Sequence, residues 1–416
     1  MTTLDLSRHV RAGDTLTWGQ SHAEPRRLVQ ALIEQRHAIG RTRLFLGIGQ
    51  AGDLGPEHAD AFDFLSYCGS GTNRRLASEG LIDILPVHYS SLPTLLSQPP
   101  LKVDVLFLQV SPPDDQGRHS LGMAREYLLE VLRNARVVIG EVNPDVPWTF
   151  GGPYLMAEDF TALVTSDAPL SESAPARIGE IELAIGRHAA ELIEDGATLQ
   201  VGIGTIPDAV LAQLRDRRDL GVHSGAIGDG IAALCEAGVV TNARKEIDKG
   251  VTVAGSLMGG AALRAYAHRN PALEMRGAEY THAAEILGRL DRFVALNSAI
   301  EVDLSGQVNS EMARGVYVGA VGGIVDFLRA AGASKGGTPI VALPSTAGAH
   351  SRIVSRIDGP VTAARSEPVI VVTEYGVADL RGLTLSQRAR RLIAIAHPEH
   401  REALEREAQA TVSRLR

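Results

Sequence analysis

Leu199-Gln200-Val201-Gly202-Ile203-Gly204-Thr205-Ile206-Pro207-Asp208-Ala209-Val210-Leu211 changes character twice over its short length. The opening aliphatic run reads as a strand, Gly202-Ile203-Gly204 closes it in a turn, and the remainder reads as a helix. Pro207 fits such a helix at its first position, because the amide that proline lacks has no intrahelical acceptor there. Strand, turn and helix form the unit of an α/β fold built on largely parallel sheets, and the same alternation extends in both directions along the chain. Upstream, strand candidates fall at 43–46, 81–85, 103–108, 136–139 and 162–164; the second set falls at 199–201, 220–222, 251–253, 293–296, 339–343 and 369–372. Between the sets lies the Ser/Pro-rich stretch 166–175, which reads as a linker and divides the chain into domains at 1–175 and 176–416. Short echoes join the two halves. Gly47-Ile48-Gly49 recurs as Gly202-Ile203-Gly204, and Pro86-Val87-His88-Tyr89-Ser90 loosely as Gly221-Val222-His223-Ser224, which suggests two related domains whose strand ends face one cleft.

The chain's 416 residues suffice for two or three domains of roughly 100–200 residues, each able to bury its own core. A net charge of -8 argues against a nucleic-acid surface, which needs a basic field. Two cysteines cannot make a disulfide framework, the N-terminal stretch has no apolar signal core, and no apolar run approaches the ~18 residues of a membrane span, so a cytoplasmic, non-membrane protein is expected. With 43 glycines and only 18 aromatics, the core is aliphatic and the loops tight.

Gly47-Ile48-Gly49-Gln50-Ala51-Gly52 satisfies the dinucleotide pattern G-x-G-x-x-G, but Gly55-Pro56 interrupts the helix that would receive a pyrophosphate, and a tight turn is the preferred reading. The turn at Gly202 and Gly204 either holds an anion or a developing oxyanion on free amides near Ile206, or is a turn alone. The glycines at 319, 322 and 323, with Lys335 beyond them, either let backbone approach a ligand, Lys335 meeting a phosphate or carboxylate, or mark helix ends. Asn297 ends an apolar strand with polar groups that need partners. No metal-ligand spacing is present; Cys68 reads as a loop or buried thiol and Cys235 as core.

Several motifs in order give the chain a resemblance to the acetyl-CoA hydrolase/CoA-transferase family, close to its 4-hydroxybutyrate and acetate CoA-transferases. They are QVSPPD from Gln109, PVHYS from Pro86, EVNP from Glu141, GIGTIPDAVL from Gly202, NSAIEVDLSGQVNSE from Asn297, the loop 319–327, SKGG from Ser334, ALPSTAG from Ala342, SRIV from Ser351 and TEYGVADLRG from Thr373. The resemblance implies a pair of α/β domains with the active site between them, and an acyl-CoA as substrate with a carboxylate as acceptor. It also implies a homo-oligomer with no permanently bound cofactor.

Such enzymes attack the thioester with a glutamate in a pattern like H-S-E-M-x-x-D-G. The matching segment here is His223-Ser224-Gly225-Ala226-Ile227-Gly228-Asp229-Gly230, which places Gly225 at the nucleophile's position. Trp148 and Ile324 stand where the family usually has Arg and Gln, which implies a less anionic acyl group. Oxyanion contacts carry over to the Ile206 amide, Asn297 and the Gly322-Gly323 backbone, and CoA contacts to Gly202, Gly204, Gly319, Gly322, Gly323 and Lys335. A glycine cannot carry an acyl anhydride, so direct hydrolysis or transfer to a non-carboxylate acceptor is expected, with His223 or Asp229 as base. The alternatives are CoA transfer through a relocated carboxylate such as Glu141 or Glu236, and an acyl-CoA-binding homologue without activity.

Overall fold

A computed structural model describes residues 4–171 and 177–414. The first sheet contains β1 (Thr15–Trp18), β2 (Thr42–Leu46), β3 (Phe62–Ser66), β4 (Ile82–Ile84), β5 (Val105–Val110), β6 (Val137–Val142) and β7 (Ala162–Thr165), all parallel, in the order β4-β3-β2-β1-β5-β6-β7. The second contains β8 (Thr198–Val201), β9 (Gly221–Ile227), β10 (Thr252–Leu257), β11 (Leu273–Met275), β12 (Phe293–Ser298), β13 (Thr338–Ala342), β14 (Ile370–Thr373) and β15 (Gly376–Asp379). Its order is β11-β10-β9-β8-β12-β13-β14-β15, with only the β14–β15 pair antiparallel. Central strands such as β5, buried at every residue, are covered on both faces, which is why they read as predominantly apolar runs.

The two sheets share one winding, as expected, yet the motif echoes do not mark equivalent places. β1 is too short and too polar to stand out, with Thr17 wholly buried and its Oγ1 donating to the Phe45 carbonyl at 2.8 Å. Once β1 is counted, Gly47-Ile48-Gly49 follows the second strand of its sheet and Gly202-Ile203-Gly204 the first. Likewise, the stretch from Pro86 follows a fourth strand while Gly221–Ser224 lies inside a second. β3, β11 and β15 also escaped the sequence reading, and β9 continues through Gly225 beyond the expected 220–222. The linker sequence falls partly, and the expected boundary at 175 wholly, outside the described residues.

In each sheet the winding reverses between the first and fifth strands, β1/β5 and β8/β12, the position where open α/β sheets bind ligands beyond their carboxyl ends. The helices that matter there are α1 (Thr205–Ala212), α2 (Asp229–Glu236), α3 (Ala261–Ala267) and α4 (Ile324–Ala333). Backbone hydrogen bonds join the halves. Segment 123–126 lies along β10, with the Arg125 amide donating to Gly255, Leu257 to Met123 and Ala278 to Glu126, at 2.8–2.9 Å. The Gly69 and Tyr89 amides donate to the Gly319 and Gly322 carbonyls, each at 2.9 Å. No helix of the described residues is long and apolar enough to cross a membrane.

Candidate active site between the two sheets

A cavity of about 190 Å³ opens where the carboxyl ends of the two sheets meet. Gln20, Ile48 and Tyr67 follow β1, β2 and β3; facing them are Val201 to Ile203, Gly225 with Ala226, Ser256 with Met258, and Asn297, from β8, β9, β10 and β12. Tyr89, Glu126, His282, Ala320, Gly322, Gly323 and Phe327 complete the wall.

Gly225 and Gly323 together leave a slot that is filled by the ring of His282. A Cβ at Gly225 would come 2.7 Å from the imidazole Cε1, and one at Gly323 would come 2.8 Å from Nε2. Tyr89 and Phe327 hold the ring from either side, with centroids at 4.8 and 4.6 Å. His282 Nδ1 lies 2.9 Å from the Thr281 hydroxyl, which is also 3.3 Å from the Gly277 carbonyl, and Nε2 faces the space at Gly323. Burial, reinforced by His223, lowers the pKa of His282 to about 3 and keeps the ring neutral.

Glu126 is the only carboxylate among the described residues lining this cavity. It sits in a left-handed backbone conformation, φ 40°, that non-glycine residues seldom adopt, and is 2% exposed. Its Oε1 accepts from Gln20 Nε2 at 2.6 Å, whereas Oε2 is buried without a hydrogen bond of ordinary geometry. Gln20 is itself oriented, because its Oε1 accepts from the Tyr67 hydroxyl at 2.7 Å and the Ile48 amide at 2.9 Å, which turns its amide nitrogen toward Glu126 and Tyr89. Burial raises the Glu126 pKa to about 7, partly offset by Gln20, Ser256 and Tyr89. No lysine or arginine lines the cavity among the described residues; the neighbouring Arg125 turns its guanidinium away, onto Gly152 and Thr149.

Of the residues expected from sequence, Gly202, Gly225, Asn297, Gly322 and Gly323 meet here. Asn297 and Gln200 form an amide pair, Nδ2 donating to Oε1 at 3.0 Å, which fixes the Asn297 side chain while leaving it a second N–H. Gly204, at φ +121°, caps α1, which starts at Thr205 and so puts the Ile206 amide in a first turn with no intrahelical acceptor. Gly319 packs on the Ser310 carbonyl and braces the domain junction through its own carbonyl.

The other expected residues lie elsewhere. His223 is fully buried behind Gly225 on the same face of β9, and neither ring nitrogen has a hydrogen bond of ordinary geometry; burial, and secondarily Lys245, lowers its pKa to about 4. The carboxylate of Asp229 accepts from the Gly260 and Leu263 amides at 2.9 and 3.1 Å and so caps α3. Lys335 is exposed beyond the far end of α4, whose near end is at the cavity. Trp148 stacks on Tyr154 with Arg118 above both rings, Ile324 is buried in the core at the start of α4, and neither lines the cavity. Glu141 accepts from the Leu28 amide and Glu236 is exposed at the end of α2. At the rejected dinucleotide loop, the amides of Gln50 and Ala51 are taken by the Glu24 carboxylate, at 3.2 and 2.6 Å.

Sequence reasoning missed Gln20, Tyr67, Tyr89, Glu126 and His282. Tyr89 lay inside the PVHYS motif without a role being assigned to it, and Glu126 stands with Arg125 in the stretch 121–129, which carries no other charge.

The chain matches the acetyl-CoA hydrolase/transferase N-terminal domain over residues 1–157 and the C-terminal domain of the same family over 259–408. It is 43% identical to the 4-hydroxybutyrate coenzyme A transferase of Clostridium kluyveri over 80% of this chain and 79% of that one. It is 27% identical to the acetyl-CoA hydrolase of Yarrowia lipolytica, over 72% of this chain and 58% of that one. The crystal structure of RipA from Yersinia pestis superposes with a TM-score of 0.93 at 34% identity, covering 98% of this chain and 96% of that one. In sequence and in fold alike, this chain belongs to the acetyl-CoA hydrolase/transferase family.

Proposed function

We propose that the chain hydrolyses acyl-CoA thioesters directly in the cavity between its sheets, with water rather than a protein carboxylate attacking the carbonyl. The observation that carries this reading is at position 225, where the alignment of motifs expects a nucleophilic glutamate: the residue is glycine, and the space its side chain would need is occupied by His282. The electrophile-stabilising parts remain. The Ile206 amide in the first turn of α1, the second Asn297 N–H and the glycine-capped start of α4 supply donors for a developing oxyanion, and one such donor contributes about 3 kcal/mol to barrier lowering. A cavity of about 190 Å³ is small beside the ~300–1,000 Å³ typical of drug-sized ligands, so it suits a short acyl group and the thioester, with the nucleotide of CoA outside.

The relatives bear both names, coenzyme A transferase and acetyl-CoA hydrolase. A second reading, CoA transfer through a relocated carboxylate, has one observation in its favour, since Glu126 is available in the cavity where Glu141 and Glu236 are not. Free CoA is measured with a thiol reagent across a panel of acyl-CoAs without acceptor, alongside borohydride reduction and mass spectrometry. Acceptor-independent CoA release with no modified glutamate is the expected result. Acetate-dependent exchange with a reduced glutamate would overturn it.

A further inference from the structure

We propose that Glu126, supplied by the first domain, is the general base that activates water for attack on a thioester held by the second. This rests on the hydrolytic reading above. Three features of the site carry it. Glu126 is the only carboxylate on the cavity wall among the described residues. Its Oε1 is fixed by an oriented glutamine, while Oε2 has no hydrogen bond of ordinary geometry and the Ser256 and Tyr89 hydroxyls interact with the carboxylate more loosely, so the side chain is held still with one oxygen able to take a proton. And the segment that carries it is pinned by three backbone hydrogen bonds to the far domain, beside Ser256, whose hydroxyl lies 3.4 Å from the Gly225 carbonyl. The carboxylate of one domain is thereby held against the strand ends that present the oxyanion donors of the other.

The enclosure of Oε2 distinguishes a base from a nucleophile. An acyl-glutamyl anhydride needs room for a carbonyl and its substituent at that oxygen, whereas a proton needs only hydrogen-bond reach, direct or through Ser256 Oγ. The electrostatics agree. The groups that interact with Glu126 are the phenols of Tyr67, Tyr89 and Tyr127, the Gln20 amide and the Ser256 hydroxyl, with the neutral His282 on the same cavity wall and no cation among the described lining residues to stabilise the anion. A carboxylate so placed, with its pKa raised to about 7, is far more basic than an exposed one and well matched to proton abstraction near neutrality.

In the step, Glu126 takes a proton from water as the water oxygen bonds to the carbonyl carbon, and the carbonyl oxygen becomes the oxyanion. Collapse of that adduct breaks the C–S bond, CoA leaves as the thiolate, and protonated Glu126 returns its proton to sulfur. The products are free CoA and a carboxylic acid, which ionises to solvent, and Glu126 is ready for another turn.

The test compares full-length wild type, Glu126→Gln and Glu126→Asp on the most rapidly hydrolysed acyl-CoA of the panel. Wild-type kcat/KM is expected to rise with pH through a midpoint near 7. Glu126→Gln should lose at least about 100-fold in kcat and that ascending limb, with KM within a few-fold, and Glu126→Asp should recover part of the rate with a displaced limb. Glu126→Gln activity above a tenth of wild type with the same pH profile would overturn the proposal, as would an acyl adduct trapped on Glu126. If wild type releases no CoA without an acceptor, the hydrolytic reading fails. Glu126 is then judged separately by the infrared band of its protonated carboxyl, identified by subtracting the Glu126→Gln spectrum below pH 7. A shift of that band on binding a non-hydrolysable acyl-CoA thioether keeps Glu126 at the reacting group, and an unmoved band removes it.

Discussion

One imidazole shares its slot with two glycines, and that arrangement makes position 225 unusually resistant to substitution. A glutamate introduced there would drive its Cβ into a ring already clamped by Tyr89 and Phe327. Gly225→Glu alone should therefore cost about 1–3 kcal/mol in a denaturant melt and yield no acetate-dependent CoA exchange, whereas Gly225→Glu with His282→Ala should regain stability and acquire exchange. Glu126 makes a complementary prediction about pH. The folded chain holds its proton up to about pH 7, and the unfolded chain releases it near 4.5. Stability therefore falls as pH rises through that window, because there the native state binds more protons than the unfolded one. Relative to wild type, Glu126→Gln should gain roughly 3 kcal/mol at pH 8 and nothing below pH 4.5, as measured by thermal melts across the range. Glu24, likewise raised to about 7 by burial, adds a dependence of the same sign that cancels in the comparison. At this scale the sequence was only half legible. Glycine turns and Asn297 announced themselves, and Tyr89 lay inside a quoted motif without a role assigned to it, but Gln20, Tyr67 and His282 are single polar groups in unremarkable surroundings. Their convergence is created by domain docking.

Among the elements, legibility followed hydrophobicity. β5 and β13 are mostly apolar runs and were read to within two residues of their limits, whereas β1, a four-residue strand at the heart of its sheet, alternates threonine with leucine and tryptophan and was missed. That omission misaligned the internal repeat: the two sheets do share one strand order, but the matching glycines from which their relationship was inferred do not fall at equivalent places. Asp229, expected as a base, instead serves a helix start in a distant part of the sequence. Asp229 does at α3 what short acidic side chains do at helix N-termini, accepting from free first-turn amides. Asp229→Ala should lower stability by roughly 1 kcal/mol while leaving kcat within about twofold, and a 100-fold loss of kcat would instead return Asp229 to the reacting groups.

For the molecule as a whole, the two sheets are tied by strand-like pairing from 123–126 to β10 and from Phe150 to β11, and by Ser90 Oγ donating to Asp326 at 2.8 Å. Cooperative unfolding is the expectation. Calorimetry should give a single transition, and an acyl-CoA thioether at one hundred times its Kd should raise stability by about 2.7 kcal/mol without splitting it. Two resolved transitions, with only one moved by ligand, would mean that the cavity belongs to one domain alone. The pairing of 123–126 with β10 also bears on inheritance. The carboxylate arrives from one half of the chain and the glycine opposite it from the other, so an exchange of halves between relatives separates them. A chimera that kept this first half and took a second half bearing glutamate at 225 would bring two acids into one cavity, where each would raise the other's pKa. Function in such a chimera would therefore depend on which acid its two halves bring to the cavity, even where both halves fold.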